Sequence, residues 1–149
     1  MFEFKKITNL TDGEIKLSIE EMVPGNLEKG FVPAYKFGIF LESSNNKVGF
    51  IDIRIGYNDG LYYGGHIGYT VYESHRGNNY AMKACSLIKN VAVNHGMHKL
   101  IITCSPDNIA SRKTCEKLGL PLIEIVDLPK DNDMYLDGAR KKCIYEWKL

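Results

Sequence analysis

The chain has 149 residues, of which 44% are hydrophobic and 25% are charged; the length is typical of one domain, and the composition is that of a globular protein and argues against disorder. Its formal net charge of +1 gives no electrostatic basis for a general nucleic-acid binder. No apolar run approaches the roughly 18 residues of a membrane span, and the N-terminus lacks the pattern of a signal peptide. We therefore expect a soluble cytoplasmic protein with no membrane partner and no nucleic-acid partner.

The cysteines are scattered without the spacing of zinc ligands, which argues against a metal site. Their apolar neighbours predict buried thiols in a reducing compartment. The four positions are Cys85, Cys104, Cys115 and Cys143.

The N-terminal segment gives the weakest structural signals. Phe2 and Phe4 alternate with polar residues, which predicts a short first strand. Asp12 could cap a helix that carries the apolar residues of 15–22. Two prolines and two glycines predict a loop at 23–33.

The next segment predicts a β-meander. Apolar and polar residues alternate over 35–41 and over 51–55, and the polar turn 43–46 separates them, which indicates a hairpin. A second turn at 58–60 leads to a long predicted strand at 62–72 with three interior glycines.

The remaining residues alternate between helical and strand patterns. The predicted elements are a helix at 79–95, a strand at 100–104, a helix at 108–118, a strand at 122–126, a polar loop at 129–138 and a closing strand at 143–149. A meander followed by these elements predicts a single mixed α/β (α+β) domain over residues 1–149, with one central sheet.

A candidate anion site lies where the strand 67–71 leads into the long helix. The first N–H groups of a helix have no internal partners and favour a phosphate. Arg76 adds a positive charge, Gly77 keeps the turn open, and the small Ala81 lets a ligand approach the first helical turn. A plain strand–helix connection with a surface arginine explains this segment equally well.

A second polar segment opens the next helix. Asn108 is a good helix cap, Ser111 is polar, and Gly119 stands where a helix ends. Taken alone, this segment is better explained by the structural role of starting and ending a helix.

Together and in this order, the two segments resemble the GNAT superfamily of N-acetyltransferases. The family pattern Arg/Gln-x-x-Gly-x-Gly/Ala and its later Asn-x-x-Ser and Glu-Lys-Leu-Gly-Phe segments match Arg76, Asn79, Ala81, Asn108, Ser111 and 116–120. Leu120 replaces the usual phenylalanine, and Asn79 replaces the usual glycine. Because asparagine also adopts positive φ, we expect Asn79 to preserve the phosphate turn, whereas a side-chain helix cap is the alternative.

The resemblance implies a GNAT-like domain, with a mixed central sheet of about six to seven strands and helices on both faces, that binds acetyl-CoA as cosubstrate and no metal. In this fold the backbone of the fourth strand pairs with the pantetheine arm, the turn amides cradle the pyrophosphate beside the arginine, and the asparagine and serine of the second segment lie along the pantetheine. The corresponding residues are Tyr69, Thr70 and Val71 on the strand, Arg76, Gly77, Asn78, Asn79, Tyr80 and Ala81 in the turn, and Asn108 and Ser111.

The resemblance also suggests candidates for proton transfer. His66 aligns with a family carboxylate that acts as base, and a structural histidine is an equal alternative. Asp52 is a second candidate for the base or for binding a substrate amine. Cys115 stands where many members carry a tyrosine acid, so it is a candidate acid, although an inert buried thiol is the better explanation.

We therefore predict an N-acetyltransferase that moves acetyl from acetyl-CoA to a primary amine by direct attack in a ternary complex. The acceptor is a small-molecule amine or a protein N-terminal amine, and a homodimer is compatible with the resemblance. The alternatives are a catalytically silent module that binds acyl-CoA and, third, an unrelated α/β phosphate binder.

Overall fold

A computed structural model describes residues 2–149 and, over these residues, contains seven strands, four α-helices and two short 3₁₀ turns. The α-helices and strands are β1 (Ile15–Val23), β2 (Ala34–Leu41), β3 (Lys47–Arg54), α1 (Asp59–Gly64), β4 (Ile67–Val71), α2 (Tyr80–Asn94), β5 (Lys99–Cys104), α3 (Ile109–Lys117), β6 (Leu122–Asp127), α4 (Asp133–Leu136) and β7 (Lys141–Lys148). The 3₁₀ turns are Leu27–Lys29 and Glu73–His75. The mixed α+β class and the predicted number of strands are confirmed.

The strands form two antiparallel sheets rather than one continuous sheet. The first has the order β1-β2-β3-β4 and the second has the order β5-β7-β6. The two meet where β4 begins, because the N–H of His66 donates to the carbonyl of Ile101 on β5 at 2.7 Å. Beyond this contact no ladder joins β4 to β5 in the described chain, and a cleft opens in the gap between them.

The core lies between the first sheet and α2 and extends over buried residues of β5, β7 and α3. The predicted apolar stripe of α2 is confirmed, since Ala84, Ile88 and Val91 are fully buried against inward-facing residues such as Phe37 and Ile51. Each fully buried residue of the size of isoleucine contributes about 1.5–3 kcal/mol through removal of its surface from water. This packing holds the start of α2 beside the end of β4.

The opposite face of the first sheet carries polar and aromatic side chains. On β3, Phe50 and Asp52 alternate with buried isoleucines, and on β4, Gly68 and Thr70 stand opposite them. Phe50 and Thr70 are exposed. This face of the first sheet is therefore open to solvent beside the cleft.

The strand and the helix predicted for the N-terminal segment were wrong, whereas the loop predicted at 23–33 is present and contains one 3₁₀ turn. Phe2 and Phe4 pack partly buried against the core but belong to no strand. The segment predicted as a helix is the strand β1, in which Ile15 and Leu17 point into the core. Asp12 does cap a turn, because its Oδ1 accepts the N–H groups of Glu14 and Ile15, each at 2.9 Å, but this turn opens a strand.

The long strand predicted at 62–72 was also wrong in its first half. The Asn58 side chain accepts the N–H of Leu61 at 3.0 Å and starts α1, and Gly65 ends this helix with φ 78°. The chain then enters the shorter β4. The predicted loop at 129–138 contains α4, and the other predicted elements are present with shifted ends. Across residues 2–149, none of the helices combines the length and apolarity needed to cross a bilayer.

Candidate functional site

A cleft of about 790 Å³ opens between β4 and the end of β5, under the first turns of α2 and α3. Every residue that the sequence predicted to bind acetyl-CoA lines this cleft except Asn78. The Asn78 side chain instead donates to the carbonyl of His75 at 3.0 Å and stabilises the turn. Two distant segments of the chain thus converge on one site, as the sequence predicted.

The edge of β4 supplies main-chain groups to the cleft. Gly68 and Thr70 are paired with residues of β3. On either side of them, Arg54 N–H donates to the carbonyl of His66 and Tyr72 N–H donates to the carbonyl of Val48. Because hydrogen-bonded pairs alternate along an antiparallel ladder, Gly68 and Thr70 also direct their main-chain N–H and C=O groups to β3. The N–H and C=O groups of Tyr69 and Val71 therefore point to the other edge, toward the cleft.

The turn before α2 has the geometry of an anion site. Gly77 and Asn79 adopt left-handed conformations with φ of 89° and 62°, which confirms the expected positive φ at Asn79. The Asn79 side chain does not cap the helix and instead accepts a hydrogen bond from Lys117 Nζ at 2.5 Å. The first N–H groups of α2 are therefore free to bind an anion near Tyr80 and Ala81, which line the cleft.

The charge of the cleft differs from that of the whole chain. Among the described residues, five cationic side chains line it and no aspartate or glutamate does; the chain as a whole has a net charge of only +1. The cations are Arg54, Arg76, Lys113, Lys117 and Lys142. Such a cleft favours a ligand with several negative charges.

The cationic residues have defined positions in the fold, and only Arg76 was predicted from the sequence to belong to this site. Arg76 Nε donates to the carbonyl of Val71 at 3.0 Å and joins the turn to the end of β4. Lys113 and Lys117 were missed, although their four-residue spacing places them on one face of α3. Lys142 comes from β7, and no local signal connects it to this site.

The second predicted segment forms the other wall of the cleft. The Asn108 side chain caps α3 by accepting the N–H of Ser111 at 3.2 Å. The Ser111 hydroxyl contacts the Tyr69 hydroxyl at 2.7 Å. Burial raises the pKa of Tyr69 to about 12, so its phenol stays protonated at neutral pH.

His66 does not line this cleft. Its side chain is buried at the junction of the sheets, where Nε2 donates to the carbonyl of Gly56 at 2.8 Å and Nδ1 accepts the N–H of Ile101 at 2.9 Å. Burial lowers the pKa of His66. It faces a second cavity of about 630 Å³, lined also by Tyr57 and Tyr63. Because both ring nitrogens bind backbone groups, the geometry argues against a role as base.

Cys115 is also absent from the lining of the cleft. It is fully buried, and this burial raises the pKa of its thiol to about 12. A buried thiol with this pKa is a poor proton donor to a group in the cleft. The geometry therefore supports the interpretation of Cys115 as an inert core residue.

Asp52 lies beside the cleft, next to Gly68. A Cβ at Gly68 would come within 3.3 Å of Asp52 Oδ2, so the glycine leaves room for the carboxylate. Oδ1 is shielded from solvent and accepts no hydrogen bond, and Arg54 Nη1 lies 3.5 Å away. Burial raises the pKa of Asp52, and the charges of Arg54 and Lys36 offset this in part. Such a carboxylate is suited to accept a proton.

Comparison with known proteins agrees with this geometry. The family model of the acetyltransferase (GNAT) domain matches residues 3–121, whereas a search of curated proteins found no match. One similar solved structure is the microcin C7 self-immunity acetyltransferase MccE in complex with acetyl-CoA and AMP, with a TM-score of 0.61 and 19% identity over 78% of this chain and 61% of that one.

Two further structures show the same fold. A GNAT-family acetyltransferase from Bacillus anthracis has a TM-score of 0.59 and 21% identity over 76% of this chain and 65% of that one. The ribosomal-protein-S5-alanine acetyltransferase from Vibrio fischeri has a TM-score of 0.61 and 17% identity over 77% of this chain and 61% of that one. The chain thus spans less than two thirds of the length of these relatives. Since the family model covers well over half of the chain, the protein belongs to the GNAT acetyltransferase family.

Proposed function

We propose that the protein transfers acetyl from acetyl-CoA to a primary amine by direct attack in a ternary complex. The observation that carries this proposal is the cleft between β4 and β5, which combines unpaired helix N–H groups, five cations and no carboxylate. A cosubstrate with a pyrophosphate and an extended arm matches these features. The free and buried state of all four cysteines fits a reducing compartment such as the cytoplasm.

Different residues of the cleft would bind different parts of the cosubstrate. The left-handed turn at Gly77 and Asn79 directs main-chain N–H groups of α2 at the pyrophosphate, and Arg76 lies beside it. The cleft-facing groups of Tyr69 and Val71 bind the amide-containing arm as a neighbouring strand would. The chain thereby holds the thioester near Gly68.

Asp52 is the proposed base, in place of His66. The attacking amine must lose a proton, and Oδ1 of Asp52, which accepts no hydrogen bond, is a proton acceptor beside the cleft. Arg54, 3.5 Å away, keeps a fraction of the carboxyl ionised against the effect of burial. With its pKa raised, Asp52 is protonated at low pH, so kcat/KM should rise as pH increases through that pKa.

The acceptor would enter from the open face of the first sheet. Phe50 and Thr70 are exposed there, and Asp52 belongs to the same face, opposite the cleft-lining Gly68. A small-molecule amine and a protein N-terminal amine both fit this access, and the names of the similar structures include a microcin self-immunity enzyme and a ribosomal-protein acetyltransferase.

The proposal is tested by thiol release from acetyl-CoA across a panel of small amines and of peptides with free N-termini. We expect release with at least one amine, and calorimetry should show coenzyme A binding. Asp52→Asn should lower kcat by about 10²-fold or more while the affinity for coenzyme A is retained. The matched control is Asp127→Asn on β6, an exposed carboxylate outside the cleft.

Two outcomes would contradict the proposal. Binding of coenzyme A without thiol release on any amine would identify a silent acyl-CoA-binding module. An Asp52→Asn variant as active as the Asp127→Asn control would exclude Asp52 as base.

A further inference from the structure

The second cavity, of about 630 Å³, has no role in the proposed acetyl transfer. Residues of α1, β5 and β7 line it, together with the loop that precedes α1. It shares no lining residue with the cleft: Gly64, at the end of α1, lines the cleft, whereas Tyr62 and Tyr63 line the cavity. His66 and Ile101, which join the two sheets, form part of its wall. The cavity is therefore a separate candidate site.

Tyrosine rings form a large part of the lining of this cavity. Tyr62 and Tyr63 have ring centroids 5.7 Å apart and an interplanar angle of 87°. Tyr57 packs against the His66 ring at 5.3 Å and 79°. Rings at right angles form a corner in which one ligand can contact more than one ring, as in the aromatic cages that bind alkylated ammonium ions.

The hydroxyl groups of two of these tyrosines are already bonded to the protein. Tyr57 donates to the carbonyl of Lys99 at 3.0 Å, and Tyr62 donates to the carboxylate of Glu124 on β6. These bonds tie α1 and the loop before it to the second sheet, so they hold the rings in place. The tyrosines therefore offer a ligand their rings rather than their hydroxyl groups.

The charge of the cavity is opposite to that of the cleft. Two carboxylates, Asp59 and Glu146, line it together with one cation, Lys99. Among the described residues neither carboxylate forms a salt bridge. Burial lowers the pKa of His66, so its imidazole adds no positive charge at neutral pH. The cavity therefore favours a cation over an anion.

The lining also favours an organic cation over a metal ion. A divalent cation such as calcium requires several oxygen ligands. Within residues 2–149, no group of three or more His, Cys, Asp or Glu side chains could hold a metal ion. Aromatic rings attract an alkylammonium ion through their faces, and the cavity has room for a ligand much larger than a single ion.

We infer that the second cavity binds an alkylated ammonium ion, with the positive charge between the tyrosine rings and the carboxylates of Asp59 and Glu146. This binding includes no covalent step and is independent of acetyl transfer. Because the cavity and the cleft share no lining residue, the cation and coenzyme A should bind at the same time.

The first test compares choline with dimethylbutanol, in which a carbon atom replaces the nitrogen of choline. The two molecules have the same shape, and choline alone carries a charge. In NMR titrations of the full chain, choline should produce saturable shifts of amide signals from α1 and β5. Dimethylbutanol should bind about tenfold more weakly, because it lacks the attraction to the rings and the carboxylates.

The second test changes the lining. Tyr63→Leu removes a ring and should weaken choline binding about tenfold, whereas Tyr63→Phe keeps the ring and should retain most of the affinity. Glu146→Gln removes one charge and should weaken binding about fivefold. The matched control is Asp127→Asn, which changes an exposed carboxylate outside the cavity and should bind choline as the wild type does. Thermal unfolding checks that each variant is folded.

The outcomes separate this inference from the proposed function. Equal affinities for choline and dimethylbutanol would overturn the inference, and so would equal choline affinities in Glu146→Gln and the wild type, even if Tyr63→Leu does not fold. Displacement of choline by coenzyme A would also overturn it, because the cation would then lie in the cleft. Thiol release from acetyl-CoA is measured separately, so its absence would refute the acetyl transfer and leave the cation site intact.

Discussion

Removal of the His66 imidazole should destabilise the protein rather than abolish catalysis. In His66→Ala the buried N–H of Ile101 loses its acceptor, which costs about 1–3 kcal/mol, and the bond to the Gly56 carbonyl, worth about 1 kcal/mol, disappears. The side chain is 1% exposed, so its deletion also leaves a cavity. The sum is about 3–5 kcal/mol, a large part of the 5–15 kcal/mol that typically stabilises a domain.

The assay compares stability and activity in the same variant. Urea unfolding should show the loss in free energy of unfolding, and the melting temperature should fall by roughly 10 °C. The control is His98→Ala, which removes an exposed imidazole from the other side of Tyr57. A His66→Ala variant with unchanged stability and a kcat lowered about 10²-fold would refute this reasoning and restore His66 as the base.

Three further predictions follow from the same geometry. Because burial lowers the pKa of His66, its contribution to the free energy of unfolding should be complete above pH of about 6.5 and fall as pH decreases below that value; urea titrations at several pH values should show a weaker dependence in His66→Gln. Asn79→Gly should keep the affinity for coenzyme A in calorimetry, whereas Asn79→Val should weaken it about tenfold, since φ is 62° there; equal affinities would contradict the role of the turn. Gly49→Ala should destabilise the protein by about 3 kcal/mol in thermal unfolding, because its Cβ would lie 2.2 Å from a carbonyl oxygen of β4, whereas Gly64→Ala meets no atom within 4 Å and should be tolerated.

The α2 to β5 region could be predicted from sequence because its signals are local. The apolar stripe of α2, the short apolar run of β5 and the cap at Asn108 each lie within one element. The turn before α2 was also predictable, because positive φ at Asn79 follows from the short list of residues that tolerate it.

The errors arose where one local signal has two structural outcomes. Asp12 accepts N–H groups two and three residues ahead, a geometry that opens a helix or a turn, and the alternation of Ile15 and Leu17 was the better guide to β1. Asn58 was interpreted as a turn residue although it is the cap of α1. The hydrophobic pattern of the residues that come after Asp12 or Asn58 decides between these outcomes.

The roles of side chains at the site depend on contacts that no local pattern contains. His66 accepts the N–H of Ile101, 35 residues away in the chain, and that contact favours a structural role over a role as base. Asp52 is the proposed base because the pairing of β3 with β4 places it opposite Gly68, beside the cleft. Lys142 lies at the cleft because β7 is the central strand of the second sheet, between β5 and β6.

The narrow junction between the two sheets has a thermodynamic consequence. A ligand that bonds to the free edge of β4 and to α3 fills the gap and becomes a cross-link between two halves that otherwise share few main-chain contacts. By mass action, coenzyme A at a hundredfold excess over its Kd would add about 2.7 kcal/mol to the free energy of unfolding. This corresponds to a rise of roughly 5–10 °C in melting temperature. In hydrogen exchange, bound coenzyme A should also slow the exchange of amides in β5 and β7, far from its phosphates. The reason is that these strands would then open only after the ligand has dissociated.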